Sequence, residues 1–218
     1  MGGGWWVQDA LSMPNGRVVL VSWIVWVVGS IVLHELAHGW AALRSGDPTP
    51  RETGHMTWNP LVHMGGLSVL MFAIIGIAWG AMPVNPSRFR GRYDEAKVAA
   101  AGPAMNFGLF VLCVVCGAVW AVFARGAVGD PVGPNVFTFF YIGAALNLAL
   151  MVFNLLPVPP LDGSRVLANF SPWYAEVINT ERGAVVSLVA FMLLFFFVGG
   201  RIFGLAFEGA GESIAAVG

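Results

Sequence analysis

Long apolar runs constrain this chain more than any other feature of its sequence. Four of them, residues 18–43, 98–124, 136–156 and 183–207, reach the length of about 20 residues that a helix needs to cross a bilayer. A fifth run, residues 66–84, is shorter and contains glycines and a proline, which weaken or end helices. The sequence predicts an all-α polytopic membrane protein with about four spanning helices and a re-entrant or short fifth segment around residues 66–84.

Composition agrees with a membrane location. The 218 residues are 57% hydrophobic and only 11% charged, whereas soluble domains average about 25% charged residues. A net charge of -1, without clustered Lys and Arg on a solvent face, excludes a nucleic-acid partner and leaves the lipid bilayer as the surroundings. We expect a single transmembrane domain, residues 1–218, in which Trp5 and Trp6 make residues 1–16 an interfacial segment.

The first apolar run contains the sequence His34-Glu35-Leu36-Ala37-His38, an HExxH motif. Imidazoles four residues apart emerge from one face of a helix, one turn apart, where both can bind a zinc ion. Glu35 is then placed to take a proton from a water that the metal activates. Ionisable groups at membrane depth cost roughly 2.5 to 3.5 kcal/mol each, so three of them in one turn indicate a functional site.

Catalytic zinc keeps one position for water and therefore needs a third protein ligand. His55, His63 and the scattered carboxylates are the candidates, and Asp162 is the best of them. It closes a run of residues, 154–163, in which three prolines unwind the end of a helix and can turn the carboxylate into the membrane. Asp162 could instead cap a helix that follows, through Ser164.

Four motifs, in order, resemble those of the site-2 proteases, in particular the compact bacterial group without PDZ or CBS domains. They are HELAH at residues 34–38, NPLVH at 59–63, AGPAMN at 101–106 following PVNP at 83–86, and NLLPVPPLDG at 154–163. The resemblance implies that Asp162 is the third ligand of one Zn²⁺ ion per chain. It also implies a zinc metalloendopeptidase whose substrate is a membrane-anchored protein, cut within or beside its transmembrane helix.

Three further polar residues lie in these motifs. An amide at Asn106 could bond a substrate backbone or stabilise an oxyanion, although a bond between helices is equally expected. His63 either orients a ligand or caps backbone groups at the interface. Asn154 is a weaker candidate for substrate binding. We expect its amide mainly to hold the bent proline region in place.

Two other functions compete with the protease. A transporter would also place polar groups in the membrane, and a catalytically silent scaffold would keep the fold in order to bind transmembrane helices. An HExxH with an intact Glu35 argues against both. For the protease, we expect residues 51–66 to form part of an edge against which an extended substrate lies.

The basic residues predict an orientation. If residues 66–84 enter and leave the membrane on one side, the two helix ends that carry the metal ligands meet at one depth. Most of the basic residues then share a side, which the positive-inside rule makes cytoplasmic. The crowded side holds Arg44, Arg51, Arg88, Arg90, Arg92, Lys97, Arg165 and Arg182, and the other side Arg17, Arg125 and Arg201. We therefore expect a multi-pass cell-membrane protein with its active site nearer the cytoplasmic face.

Overall fold

A computed structural model of the protein describes residues 5–123 and 131–218. These residues form α-helices and one 3-10 turn, with no strand among them, which confirms the predicted all-α class. The helices are α1 (Trp6–Ser12), α2 (Gly16–Arg44), α3 (Thr49–Glu52), α4 (Pro60–Ile75), α5 (Asp94–Phe123), α6 (Val132–Asn154), α7 (Asp162–Phe170), α8 (Pro172–Ile178), α9 (Glu181–Phe197) and α10 (Gly199–Val217), and the 3-10 turn is Pro86–Arg88.

Three helices of the described part of the chain are each long and apolar enough to cross a membrane. They are α2, α5 and α6, of 29, 30 and 23 residues. At about 1.5 Å per residue even the shortest is about 35 Å long, which exceeds a hydrocarbon core of about 30 Å. They correspond to the predicted spans 18–43, 98–124 and 136–156, of which residue 124 lies outside the described residues. The protein is therefore a multi-pass membrane protein.

The predicted fourth span, residues 183–207, is not one helix. It is divided between α9, which ends at Phe197, and α10, which begins at Gly199. The Gly199–Gly200 pair weakens the helix there. Within α10 the small residues Ala206 and Ala210 are buried, and this helix packs against α5 and α6. The first half, α9, reaches the length and apolar character of a span when it is taken together with α8. These two helices are bent by 88° relative to each other.

One buried cluster of the bundle core, where α5, α6 and α10 meet, contains many small side chains. In a membrane such residues let helix backbones approach closely and gain van der Waals contact. One indole also links two of the helices, since Trp26 of α2 donates its N–H to the Phe139 carbonyl of α6 at 2.9 Å. Cys113 is buried in the same cluster, as an inert packing residue would be. The small residues at this contact are Ala118, Ala144, Ala145 and Ala210.

Helix α4 and the chain after it form a hairpin. Asn59 caps the helix by accepting from the Leu61 N–H, and the helix ends at Gly76, whose φ of 77° is a left-handed conformation that favours glycine. The return segment, residues 77–85, then runs back beside α4. The Ser68 hydroxyl donates to the Trp79 carbonyl at 2.7 Å and accepts from the Trp79 N–H at 2.8 Å.

Both ends of this hairpin lie near the C-terminal end of α2, since Met56, just before the hairpin, lies against Gly39 and the chain after the hairpin bonds to residues 45–47. The Asn85 N–H donates to the Asp47 carboxylate at 2.6 Å, and the Arg90 N–H donates to the Ser45 carbonyl at 3.1 Å. The chain therefore enters and leaves at one end of the bundle, as the re-entrant alternative for residues 66–84 predicts.

The N-terminal segment contacts the far end of the hairpin. The indole N–H groups of Trp5 and Trp6 both donate to the Ala73 carbonyl, at 2.9 and 3.2 Å. The Trp6 ring lies against Phe72, with 5.5 Å between ring centroids. The predicted interfacial segment thus contains a helix, α1, which is held to the last turn of α4. Residues 1–4 of that segment lie outside the described residues.

Candidate metal centre

Three metal-binding side chains from two distant parts of the sequence meet in the structure. His34 and His38 lie one turn apart on α2, with their Nε2 atoms 3.0 Å apart. The Oδ2 atom of Asp162 lies 3.1 Å from the first and 3.4 Å from the second. Among the described residues this is the one group of three or more His, Cys, Asp or Glu side chains that could hold a metal ion. Three protein ligands leave the fourth tetrahedral position of a zinc ion open.

Asp162 reaches this place because α6 stops short of it. After Asn154 the chain passes through Pro157, Pro159 and Pro160, and α7 begins at Asp162. Gly163 permits the turn, since a Cβ at this position would overlap the backbone carbonyl of Leu155. The capping alternative is not observed, because α7 has no side-chain cap and the Ser164 hydroxyl bonds to the Leu161 carbonyl.

A chain of hydrogen bonds fixes the proton of His34. The Asn147 side-chain NH₂ donates to the Gly143 carbonyl at 2.9 Å, so the Asn147 oxygen faces the other way. That oxygen accepts from the NH₂ of Asn106 at 3.0 Å, which turns the Asn106 oxygen toward His34 Nδ1 at 2.6 Å. An oxygen accepts only, so Nδ1 of His34 carries the proton.

His38 is fixed in the same way, because its Nδ1 lies 2.7 Å from the Val98 carbonyl oxygen. With Nδ1 protonated, each imidazole in its neutral form presents an unprotonated Nε2 atom to the other. The Asp162 oxygen between them is buried and has no hydrogen-bond donor among the described residues. Three lone pairs that converge without a proton between them repel one another, and a cation removes the repulsion. The donor set thus fits a zinc ion.

Gly102 allows α5 to approach this centre. A Cβ on Gly102 would lie 2.5 Å from His34 Nε2 and would also overlap His38 Nε2. Any larger residue at this position must displace the imidazoles or the helix. The glycine of the AGPAMN motif is therefore explained by the space that the two ligands occupy.

Glu35 lies beside the ligands in a cavity of about 220 Å³. Its side chain is buried and forms no hydrogen bond to another described residue. The backbone of Gly80, in the return segment, packs directly on the carboxylate, since a Cβ there would lie 2.6 Å from Glu35 Oε1. The cavity is lined further by Ala81, Met82, Val84, Pro86, Phe89, Glu95, Val98, Ala99, Asn154, Pro160 and Arg165.

The other predicted polar residues have different positions. Asn106 is fully buried behind His34, and both atoms of its amide are occupied, including by the expected bond between helices. His63 is also outside the cavity lining, with its Nε2 2.7 Å from the Thr57 carbonyl oxygen. Asn154 does line the cavity, and its NH₂ bonds to the Leu150 carbonyl. Of the three, only Asn154 faces the space where a substrate would lie.

Residues 51–66, where we expect a substrate edge, lie outside the cavity lining. Helices α3 and α4 occupy both ends of the stretch. The extended chain at the cavity is the return segment, whose part 80–84 forms one wall. From the sequence alone, Gly80 and Pro83 indicate only an interrupted helix.

Comparison with known proteins agrees with this arrangement. The sequence pattern described as Peptidase family M50 matches residues 125–198, which include Asn154 and Asp162. YwhC of Bacillus subtilis (strain 168) is 32% identical over 179 residues, which are 78% of this chain and 79% of the relative. The chain belongs to peptidase family M50. This membership confirms the resemblance to the site-2 proteases.

Two further relatives differ in length. Rip2 of Mycolicibacterium smegmatis is 32% identical over 67% of this chain, and the chain spans about half of that protein, 54%. MJ0611 of Methanocaldococcus jannaschii is 27% identical over 85% of this chain and 86% of the relative. YwhC, Rip2 and MJ0611 are all named "putative zinc metalloprotease", and zinc is the metal that the donor set fits. No protein of solved structure matches the chain.

Proposed function

We propose that this M50 protein is an intramembrane endopeptidase that hydrolyses peptide bonds within or next to the transmembrane segments of membrane-anchored proteins. The convergence of His34, His38 and Asp162 beside Glu35, among helices of membrane length, carries the proposal. Zinc held by these three residues would lower the pKa of a water molecule and polarise the substrate carbonyl.

The residues around the metal have separate roles in this proposal. Glu35 takes a proton from the attacking water and returns it to the nitrogen of the amine that leaves. Asn106 and the Val98 carbonyl orient the two imidazoles and keep their protons on Nδ1. Asn154, an amide that lines the cavity, would bond the substrate backbone.

The return segment would hold the substrate in an extended form. A helical peptide bond is shielded by its own hydrogen bonds, so a substrate helix must unwind before it is cut. The backbone groups of Gly80 and Met82 form no hydrogen bond to another described residue. An unwound substrate can therefore pair with residues 80–84 by strand addition, next to Glu35.

A reconstituted cleavage assay tests the proposal. We expect the purified protein, placed in vesicles with a single-span peptide, to yield two fragments that mass spectrometry assigns to a cut within or beside the span. A zinc chelator should stop the reaction, and added zinc should restore it. A transporter or a silent scaffold with the same polar cluster would yield no fragments, and a panel of such peptides left intact by the zinc-loaded protein would refute the proposal.

We further propose that the metal centre lies nearer the cytoplasmic face. Basic residues gather at the end of the bundle to which the hairpin returns, where the Arg88 guanidinium lies 2.6 Å from the Glu52 carboxylate and the Arg92 carbonyl accepts from Asn169 of α7. Cytoplasmic loops carry such an excess of Lys and Arg. Of the residues predicted for the other side, Arg125 lies outside the described residues.

Single cysteines test this orientation. Thr53 and Ser87 are exposed at the basic end, whereas Ser45 is buried and labels poorly. We expect cysteines at Thr53 and Ser87 to react with a membrane-impermeant reagent from the cytoplasmic side only. A cysteine at exposed Ser12, before α2, should react from the opposite side. Reaction of Thr53 and Ser87 from opposite sides would contradict the re-entrant hairpin.

A further inference from the structure

We infer that Asp47 is a positioning residue that holds the substrate-binding part of the return segment, residues 80–84, in register with the metal centre. The inference rests on the proposed function, because it concerns how a substrate is bound for cleavage. Asp47 itself lies just beyond α2, outside the cavity lining.

The Asp47 carboxylate is buried and has three donors. One oxygen accepts from the Thr49 N–H at 3.0 Å and from the Thr49 hydroxyl at 2.5 Å, and the other accepts from the Asn85 N–H at 2.6 Å. Burial alone would raise the pKa of Asp47, but these hydrogen bonds outweigh burial and hold the pKa below its ordinary value. A fully buried carboxylate thus stays ionised at neutral pH and binds the Asn85 amide as a charged acceptor.

The bond to Asn85 acts on the cavity because Asn85 lies between two residues of its lining, Val84 and Pro86. The adjacent turn provides a second attachment, where the Ser45 carbonyl accepts from the Arg90 N–H. Gly46 makes this approach possible, since its φ is 97° and a side chain there would overlap that of Arg90. Residues 45–47 therefore hold the chain as it leaves the cavity wall.

The opposite end of the wall is held by α4. The Ala81 N–H donates to the His63 carbonyl at 3.0 Å, and Ser68 makes its two bonds to Trp79. Between these attachments and Asn85, the backbone of residues 82–84 makes no hydrogen bond to another described residue. Its position is thus set by its two ends, and loss of one end frees the groups that would pair with a substrate. Poorer pairing then weakens substrate binding, which appears as a higher KM when the chemical step is slow.

Asp47→Asn removes one attachment with little change of shape. The asparagine oxygen can still accept from Thr49, but its NH₂ then faces the Asn85 N–H, so two donors oppose each other. Thr49→Val is the matched control, because it removes a hydrogen bond to the same carboxylate and leaves the Asn85 bond in place. We expect Asp47→Asn to raise KM roughly tenfold or more with kcat nearly unchanged, and Thr49→Val to leave KM near that of the wild type.

Amide hydrogen exchange tests the inference without any substrate. In Asp47→Asn the amides of residues 80–90 should exchange faster than in the wild type, while Thr49→Val keeps the wild-type rates and both variants keep one zinc per chain. Unchanged exchange in Asp47→Asn, or a loss of zinc and helix content in that variant, would overturn the inference. If the wild type cleaves nothing, the proposed function fails, whereas the exchange comparison still decides the role of Asp47.

Discussion

Gly102→Ala is expected to weaken zinc binding strongly while leaving the helix intact. A Cβ at this position overlaps the Nε2 atoms of both His34 and His38, so the imidazoles must leave the geometry in which they face Asp162. Displacing one ligand's support typically costs 10- to 100-fold in metal affinity, and here both ligands move, so we expect a loss of roughly 100-fold or more. Zinc content after dialysis against a weak chelator measures it.

Gly108→Ala is the control for this variant. Gly108 lies on the same helix, is exposed, and has no atom within 4 Å of the position where its Cβ would lie. Both substitutions raise helix propensity by about 0.8 to 1 kcal/mol, so any difference between them comes from contacts with the imidazoles. Equal and full zinc content in the two variants would show that α5 does not approach the ligands as described.

Glu35→Gln is expected to keep zinc and lose turnover. The amide has the size of the carboxylate, and Glu35 is not among the three converging ligand atoms, so the metal centre should persist. An amide cannot take the proton of the attacking water, and the loss of a general base typically lowers the rate by about 10²- to 10⁴-fold. Zinc content and single-turnover cleavage of a membrane-anchored peptide, measured on the same sample, separate the two effects.

Glu95→Gln provides the comparison for that measurement. Glu95 lines the same cavity but forms no hydrogen bond or ion pair with the three ligands. We expect this variant to cleave at a rate close to that of the wild type. If Glu35→Gln turned over near the wild-type rate, Glu35 would not be the general base. A slow Glu95→Gln in the same experiment would point to Glu95 instead.

The parts of the fold that a periodic or apolar pattern determines could be predicted. Three long runs gave three helices of membrane length because a bilayer leaves a continuous apolar segment few alternatives. The prediction of one helix over residues 183–207 was wrong, because apolar character alone does not distinguish one spanning helix from two that meet at Val198. One face of its second half, α10, packs against α5 and α6, and only tertiary packing reveals that.

The candidate site shows the same division. The HExxH spacing predicts two ligands on one helical face, and Asp162 followed from the motif that contains it. Asn147, which fixes the amide of Asn106, was missed, although a lone amide in an apolar run is itself a signal of a buried hydrogen bond. Asp47 and Gly80 could not be found, because their roles depend on a hairpin that folds back over 38 residues of chain and has no local signature.

The contact between the N-terminal tryptophans and Ala73 has a consequence for the order in which the chain is assembled. The two indoles bond to a carbonyl 67 and 68 residues further along the sequence. Synthesis begins at the N-terminus, so Trp5 and Trp6 are made long before their acceptor exists. Helix α1 can take its final place only after α2 has crossed the membrane and α4 has entered it. Helix α1 is thus synthesised before α2 and α4 but docks after them.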